Sequence, residues 1–492
     1  MRTILSIILS VTTLSMTTAQ NISDVVRWSS VQQLGTARVL GVGSSFGSMG
    51  GDFGVIYINP AGIADFRKSE FTFTPSLRAF KSTAFFDKDP DNKEIIKGSR
   101  VGLDNIGVVI AASPGDIWTS SNFAIGYNKI ADFNRNVTIS GKIKGSITEY
   151  FAEQANGKSP DDLDDFITFP AFSVGAIYDF DEDNFYDTDF FAPDLPVFRT
   201  QTLTQRGGIN EFTLGWAGEY KRNLNLGISI GVPLASFEES KTYSETDPDD
   251  EINTFNSLDY TERLNTSGVG FNIKAGFTYK LLNLLRIGGS FQSPTWFRFT
   301  DDYNSSMTYS YVDNGNKSHD YDSPDGTFEY KMTTPWRATG SIGTLYRIGD
   351  IVGFVNADIE HLDYTNANYN GTAFNDTNAE QKYTAEVNRE VQQRLGSATN
   401  LRLGTEFGYK NLRLRAGYSW ERTAFNADDF YNNNASFGIG FRDNNFFLDL
   451  GIRVANYAEG YNPYVVINDE LDPLANIETS RSRAAVTLGF KF

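Results

Sequence analysis

RSRAAVTLGFKF, residues Arg481 to Phe492, ends the chain on a strict alternation. Ser482, Ala484, Val486, Leu488, Phe490 and Phe492 fall on one face of an extended strand, and Arg481, Arg483, Ala485, Thr487, Gly489 and Lys491 on the other. One face suits lipid and the other water. A last strand of this kind, closing on Phe, predicts an outer-membrane β-barrel.

The same rhythm recurs upstream. Leu224, Leu226, Ile228, Ile230 and Val232 alternate with Asn225, Gly227, Ser229 and Gly231, and Leu401, Leu403, Thr405 and Phe407 with Arg402, Gly404 and Glu406. The next hairpins set Leu412, Leu414, Ala416, Tyr418 and Trp420, then Phe437, Ile439 and Phe441, then Phe446, Leu448, Leu450, Ile452 and Val454, against Arg413, Arg415, Asp449 and Arg453. Charge therefore collects on one face, which a barrel turns inward. Arg402, Glu406, Arg413, Arg415, Asp449, Arg453 and Arg483 become candidate lumen-lining groups, suited either to pairing with a ligand carboxylate or to bracing one another; the mixture of signs favours bracing.

Alternation alone fits a soluble sandwich as well, so connection lengths have to decide. From about Ser69 onward about fourteen strands can be read, with short joints near 114–121, 221–223, 281–283, 349–350, 410–411 and 443–444. Long joints are expected near 81–100, 142–208, 237–263, 305–326, 366–399, 422–432 and 457–480. Short and long alternate, as in an outer-membrane barrel whose termini are periplasmic and whose long loops face outward. The fold class expected is all-β, a transmembrane antiparallel barrel.

The amino terminus agrees with export. Met1-Arg2 is basic, Ile4 to Met16 is mostly apolar, and Thr17-Thr18-Ala19 ends on a small residue, which predicts a signal peptide over 1–19 cleaved before Gln20. The apolar run is shorter than the ~20 residues of a spanning helix. The remaining composition, 14% aromatic with 44 glycines, suits aromatic girdles and close backbone contacts. With no cysteine, disulfides and thiolate metal sites are excluded, and a formal charge of −18 argues against a nucleic-acid partner.

Acid is concentrated in the long joints: Asp161-Asp162, Asp164-Asp165, Asp179 to Asp189 and Asp247 to Glu251. Asp179, Asp181 and Asp183 begin like a calcium loop, but Asn184 stands where Gly is required and Phe190 where Glu is required, so solvated loops explain them better. No cofactor or metal is expected. Ile147 to Asn156 reads as a short helix in the largest joint, beside Phe185, Tyr186, Phe190 and Phe191. Gly43-Ser44-Ser45-Phe46-Gly47 satisfies the nucleophile-elbow pattern, yet no strand-to-helix context surrounds it, and only His319 and His361 are available as base. An enzyme is not expected.

Residues 20–68, ahead of the barrel at 69–492, carry Gly35, Gly41, Gly43, Gly47, Gly50, Gly51, Gly54 and Gly62 with Val39, Leu40, Phe46, Phe53, Val55, Ile56, Tyr57 and Ile58. So many glycines imply close backbone approach, and so many apolar residues favour a packed plug over a disordered tail. The run GTARVLGVGSSFGSMGGDFGVIYINPAGIADF, residues 35–66, followed by SEFTFTPSL at 69–77, resembles the start of the FadL/TodX outer-membrane transporters of hydrophobic compounds. SPTWFRFTDDY at 293–303 and TPWRATGSIGTLYRI at 334–348 extend the resemblance.

The resemblance implies a fourteen-stranded barrel plugged by an N-terminal hatch that Asn59, Pro60, Ala61 and Gly62 close. It implies passive uptake of long-chain fatty acids or similar lipophiles, captured by extracellular loops and released sideways at a kink in the third strand. Within NFAIGYNKIADF, residues 122–133, Gly126 or the stretch 130–132 is the candidate kink, although an interior glycine also simply makes room for a neighbour. The partners implied are a hydrophobic ligand, outer-membrane lipid and lipopolysaccharide, and the barrel-assembly machinery acting on the last strand. The rival reading is a partner subunit of a larger outer-membrane assembly such as a secretion complex. Intact-mass analysis of the exported protein is expected to give a chain starting at Gln20, and a retained amino terminus would contradict the signal peptide.

Overall fold

A computed structural model describes residues 22–190, 195–281, 284–313, 315–427 and 431–492. The signal peptide expected over 1–19 lies outside these residues. The described strands form one antiparallel sheet that closes where the first strand pairs with the last, Phe71 opposite Phe490 and Phe86 opposite Ala475.

Fourteen strands make the ring, four of them interrupted. They are β1 Glu70–Phe86, β2 Glu94–Ile110, β3 in two parts Trp118–Asp132 and Arg135–Lys144, β4 Pro196–Tyr220, β5 Leu224–Thr246 and β6 Phe255–Leu281. Then come β7 (Leu285–Gln292, Trp296–Val312), β8 (Asn316–Asp322, Gly326–Thr333, Arg337–Ile348) and β9 (Ile351–Asp363, Asn368–Asn370). β10 Ser397–Tyr409, β11 Leu412–Arg422, β12 Tyr431–Arg442, β13 Phe446–Tyr461 and β14 Ala475–Lys491 complete the wall.

The alternation is realised as expected. On β5, Leu226, Ile228, Ile230, Val232 and Leu234 are exposed, while Asn225 and Ser229 are buried. On β14, Val486, Leu488 and Phe490 point out and Thr487 points in. A closed ring satisfies its own backbone hydrogen bonds, which lipid cannot do, and the outward aliphatic belt gives lipid an apolar surface.

Several long joints are shorter than the sequence suggested. The strands run on past the apolar belt, so the joints expected at 81–100 and 237–263 shrink to 87–93 and 247–254, and in the one expected at 305–326 the strands extend to Val312 and resume at Asn316. Beyond the lipid both faces meet water, so the alternation fades while the ladder continues. Helix α3, Ile147–Ala155, stands where a helix was expected, capped by Ser146, and α4 is Thr168–Ser173. α5, Asn378–Arg394, occupies the joint after β9. Asp179 accepts from the backbone N–H groups of Asp183 and Asn184, so it closes a local turn.

The segment before β1 fills the lumen. α1 Ile22–Ser29, α2 Ala37–Gly41 and two 3-10 turns, Phe53–Tyr57 and Pro60–Asp65, pack with Phe237, Phe299 and Phe354 of the wall in one core. The wall faces it with glycines. A Cβ at Gly417 would strike the Val42-Gly43 backbone, one at Gly227 the Pro60-Ala61 backbone, and one at Gly451 the Ala37 carbonyl. Gly417→Val is therefore expected to leave a folded, heat-modifiable barrel whose N-terminal segment is cleaved by trypsin; Gly340→Ala, which meets only Ile359 at 3.5 Å, is the control expected to stay resistant. Equal resistance of both variants would contradict direct seating of the segment on the wall.

Candidate functional site

Asn59 ties the plug together at the short-turn end. Its side-chain oxygen accepts from Ala61 N–H at 3.1 Å, while Nδ2 donates to Gly47 O at 2.7 Å and to Phe277 O of β6 at 3.0 Å. Pro60 sits at the first position of the turn that Asn59 caps, where its missing N–H costs nothing. Ala61 is fully buried, and a Cβ at Gly62 would meet Val55 and the Met49 carbonyl. The four residues thus pack as one clasp between plug and wall.

The inward charges form networks, and the plug enters them. Arg38 donates to both oxygens of Glu406, at 2.8 and 2.9 Å, and Arg415 reaches Glu406 at 2.6 Å and Asp449 at 2.7 Å. Arg402 and Arg337 converge on Glu360, which also accepts from Gln33 of the plug at 2.8 Å. Arg453 pairs with Glu421 at 2.9 Å and donates to Gln32 O at 3.0 Å. Arg413 stands apart at the rim, bonded to the Lys410 and Leu412 carbonyls. Sequence reading missed Glu360 and Asp358, although 356, 358 and 360 alternate as an inward polar row; Asp358 accepts the backbone N–H groups of Phe46 and Gly47.

The wall is interrupted beside the plug. β2 pairs with β3 only from Asn105 to Ile110, so residues 94–104 have a ladder on the β1 side alone. β3 slips register at Lys129/Ala131 and breaks at Phe133-Asn134. The break is built by turn chemistry: the Asp132 carboxylate accepts from Asn134 N–H at 3.0 Å and from its side-chain amide at 2.6 Å. The second half of β3 then buries Val137, Ile139 and Ile143 against Ala84, Phe86, Leu203, Ala475 and Ile477.

Gly126 is not the kink. It pairs with Gly107 on one side and Thr213 on the other, and a Cβ there would enter the Phe53 ring of the plug. Its glycine makes room for the plug, the other use of an interior glycine, and the interruption begins at the alternative stretch 130–132. Sequence reading gave no signal for Arg78, Arg100 and Arg135 at the gap, because isolated arginines carry no spacing pattern.

A cavity of about 190 Å³ lies inside the gap, with Gly98, Ser99 and Arg100 of β2 on one edge and Asn134, Arg135 and Asn136 of β3 on the other. Arg100 reaches across to Asn134 Oδ1 at 2.7 Å. A larger space of about 1350 Å³ continues toward the long connections between α1, Phe85, Phe133, Phe237, Phe425 and Tyr461. The two share Gln32, Asp132, Arg135, Gln205 and Arg481 as lining. Farther out, burial pushes the α3 carboxyl of Glu149 up to about 7, with Glu245 and Glu153 adding to the shift and Arg199 opposing it.

The elbow-like Ser45 donates to the Asn356 carbonyl at 3.0 Å and accepts from its amide at 2.9 Å, while both histidines are exposed. Such an arrangement ties Ser45 into the hydrogen-bonded packing of plug against wall.

No family model and no curated protein matches the sequence. Among solved structures, the chain is similar to the toluene transporter TodX of P. putida, with TM-score 0.51 and 13% identity over 93% of this chain and 98% of that one. It is also similar to a Pseudomonas aeruginosa FadL homologue, with TM-score 0.51 and 10% identity over the same shares. At such identity the likeness shows the fold alone, the closed antiparallel β-barrel that these two outer-membrane-type structures share with this chain.

Glu406→Gln is expected to destabilise the barrel by about 3–5 kcal/mol, since Arg38 and Arg415 would be left buried with reduced compensation. Asn59→Ala is expected to cost about 1–3 kcal/mol through the unpartnered carbonyls. Thermal melts of the purified barrel in detergent measure both, and melts unchanged from wild type would contradict the clasp and the network.

Proposed function

We propose that this protein is a FadL/TodX-type outer-membrane channel for passive uptake of hydrophobic molecules, long-chain fatty acids or similar lipophiles. The observation that carries the reading is the unpaired edge of β2 at 94–104 beside a lumen cavity. A wall built to seal has no reason to forgo those hydrogen bonds, and the inner end of the gap, where Leu77 and Val101 are exposed on the outward face, gives a lumen ligand access to the bilayer.

A lipophile enters from the outer loops into the larger space, whose aromatic lining replaces the water it leaves. It passes Phe133 and Arg135 to the cavity at the gap, and from there moves sideways into lipid. No energy source is needed, because each CH₂ transferred from water to apolar surroundings is favourable by about 0.8 kcal/mol. The hatch, clasped by Asn59, Pro60, Ala61 and Gly62 and held by Arg38, blocks the straight route through the lumen. Likeness of fold to TodX and the FadL homologue supports the reading, since the one is described as a toluene transporter and the other as a FadL homologue.

The chain lacks cysteine, so a pair introduced at Ser99 and Asn136, on opposite edges of the gap, can be bridged with a bis-maleimide without background. Bridging is expected to abolish uptake of a labelled lipophile by intact cells while each single cysteine, similarly treated, retains it. Full uptake through the bridged gap would overturn lateral release. Absence of any protein-dependent uptake in the wild type would favour the assembly-subunit reading.

A further inference from the structure

The cavity at the gap is unusual for a hydrophobic route in being rich in guanidinium. Arg78, Arg100, Arg135, Arg206, Arg453, Arg481 and Arg483 line it, together with the carboxylates of Asp132 and Glu421. Two further carboxylates reach these arginines from outside the lining, Asp104 at Arg483 and Glu459 at Arg135. Arg100 and Arg206 are exposed; the five guanidiniums turned further in, with the buried amine of Lys129 that acts on Asp132, make six cations to these four anions, an excess of two.

The pairing is uneven. Asp132 is shared by Arg78 and Arg483, and Glu421 is taken by Arg453. Among the described residues Arg481 has no carboxylate within 4.0 Å, Asp132 and Glu459 acting on it only from farther off; its guanidinium lies 5.5 Å from the Tyr457 ring, and its buried Nε has no hydrogen-bond partner among them. Leu34, Ala79, Phe80, Ala455 and Tyr457 supply apolar lining beside it. A channel that passed only neutral hydrocarbon would carry this charge to no purpose, since an uncompensated buried cation is costly.

We propose that the gap cavity is a headgroup site for an amphiphile bearing a phosphate monoester, with Arg481 as its central binding residue; the inference rests on the transport reading above. A carboxylate would offset one of the two excess charges. A phosphate monoester carries about −1.5 to −2 near neutral pH and presents three oxygens, so it meets the excess more closely and accepts from several guanidinium forks at once. The apolar lining takes the first carbons of the chain, and the unpaired β2 edge lets the remainder lie toward lipid.

Calorimetric titration of the purified barrel in a nonionic detergent, with octyl phosphate, octanoate, octanol and inorganic phosphate, tests the site. Octyl phosphate is expected to bind at least tenfold tighter than each of the others, Arg481→Gln to lose that preference, and Arg481→Lys to keep part of it. Equal affinity for octanoate, or an unchanged preference in Arg481→Gln, would overturn the phosphate assignment. Inorganic phosphate binding as tightly as octyl phosphate would overturn the amphiphile part and leave a site for the free ion. Heat-modifiability confirms that each variant is folded. Uptake that survives bridging of the gap, with octyl phosphate selectivity intact, marks failure of the transport reading; gap-dependent uptake without selectivity marks failure of this one.

Discussion

Backbone groups in hydrocarbon have to find partners within the protein, and the architecture follows from that demand. Fourteen strands meet it by closing on themselves, β1 against β14. The exception is the β2 edge at 94–104, where β3 turns away after Asp132 and its second half packs on Ala84, Phe86 and Ala475 instead of on β2. Losing a ladder there is tolerable because the cavity behind it is polar and the Arg100 to Asn134 bond spans the break. Function is read from where the rule is relaxed.

A barrel of this width needs filling, and the filling is matched to the wall on two scales. Glycines on β5, β11 and β13 bring the plug backbone directly against strand backbone, so the contact is dense where a side chain would have held it off. Charges provide the second match. Arg38 of the plug adds a second cation at Glu406, the end of the Glu406, Arg415 and Asp449 chain, and Gln33 joins Arg337 and Arg402 at Glu360. Buried ions cost desolvation, so these networks specify the seat of the plug more than they add net stability.

Much of this was legible in the sequence, for physical reasons that also set its limits. Where a strand separates lipid from lumen, as at Leu224 to Val232 or Arg481 to Phe492, the period of two is enforced and fold, face and inward charge follow. Above the lipid that enforcement ends, which is why the extensions of β1, β2, β5 to β8 into the long joints left no pattern. The plug was legible as glycine beside apolar residues, although its partners Asp358 and Glu360 were hidden on a strand among many. Gly126 misled because glycine answers to two needs, bending a strand and clearing space, and here the Phe53 ring decides for space. The register slips at Lys129/Ala131, beside the alternative stretch 130–132, and the break that follows is set by an Asp132 to Asn134 turn.

On the proposed route a lipophile leaves the lumen between β2 and β3 and touches both edges of the gap as it goes. The most direct measurement is photocrosslinking with a diazirine-bearing fatty acid in native outer membranes, followed by peptide mapping of the adducts. The account predicts adducts concentrated at 78–80, 98–100 and 134–136, with a second set at Phe133 and Phe237. Adducts confined to the outward aliphatic belt, with none on the edges of the gap, would contradict it.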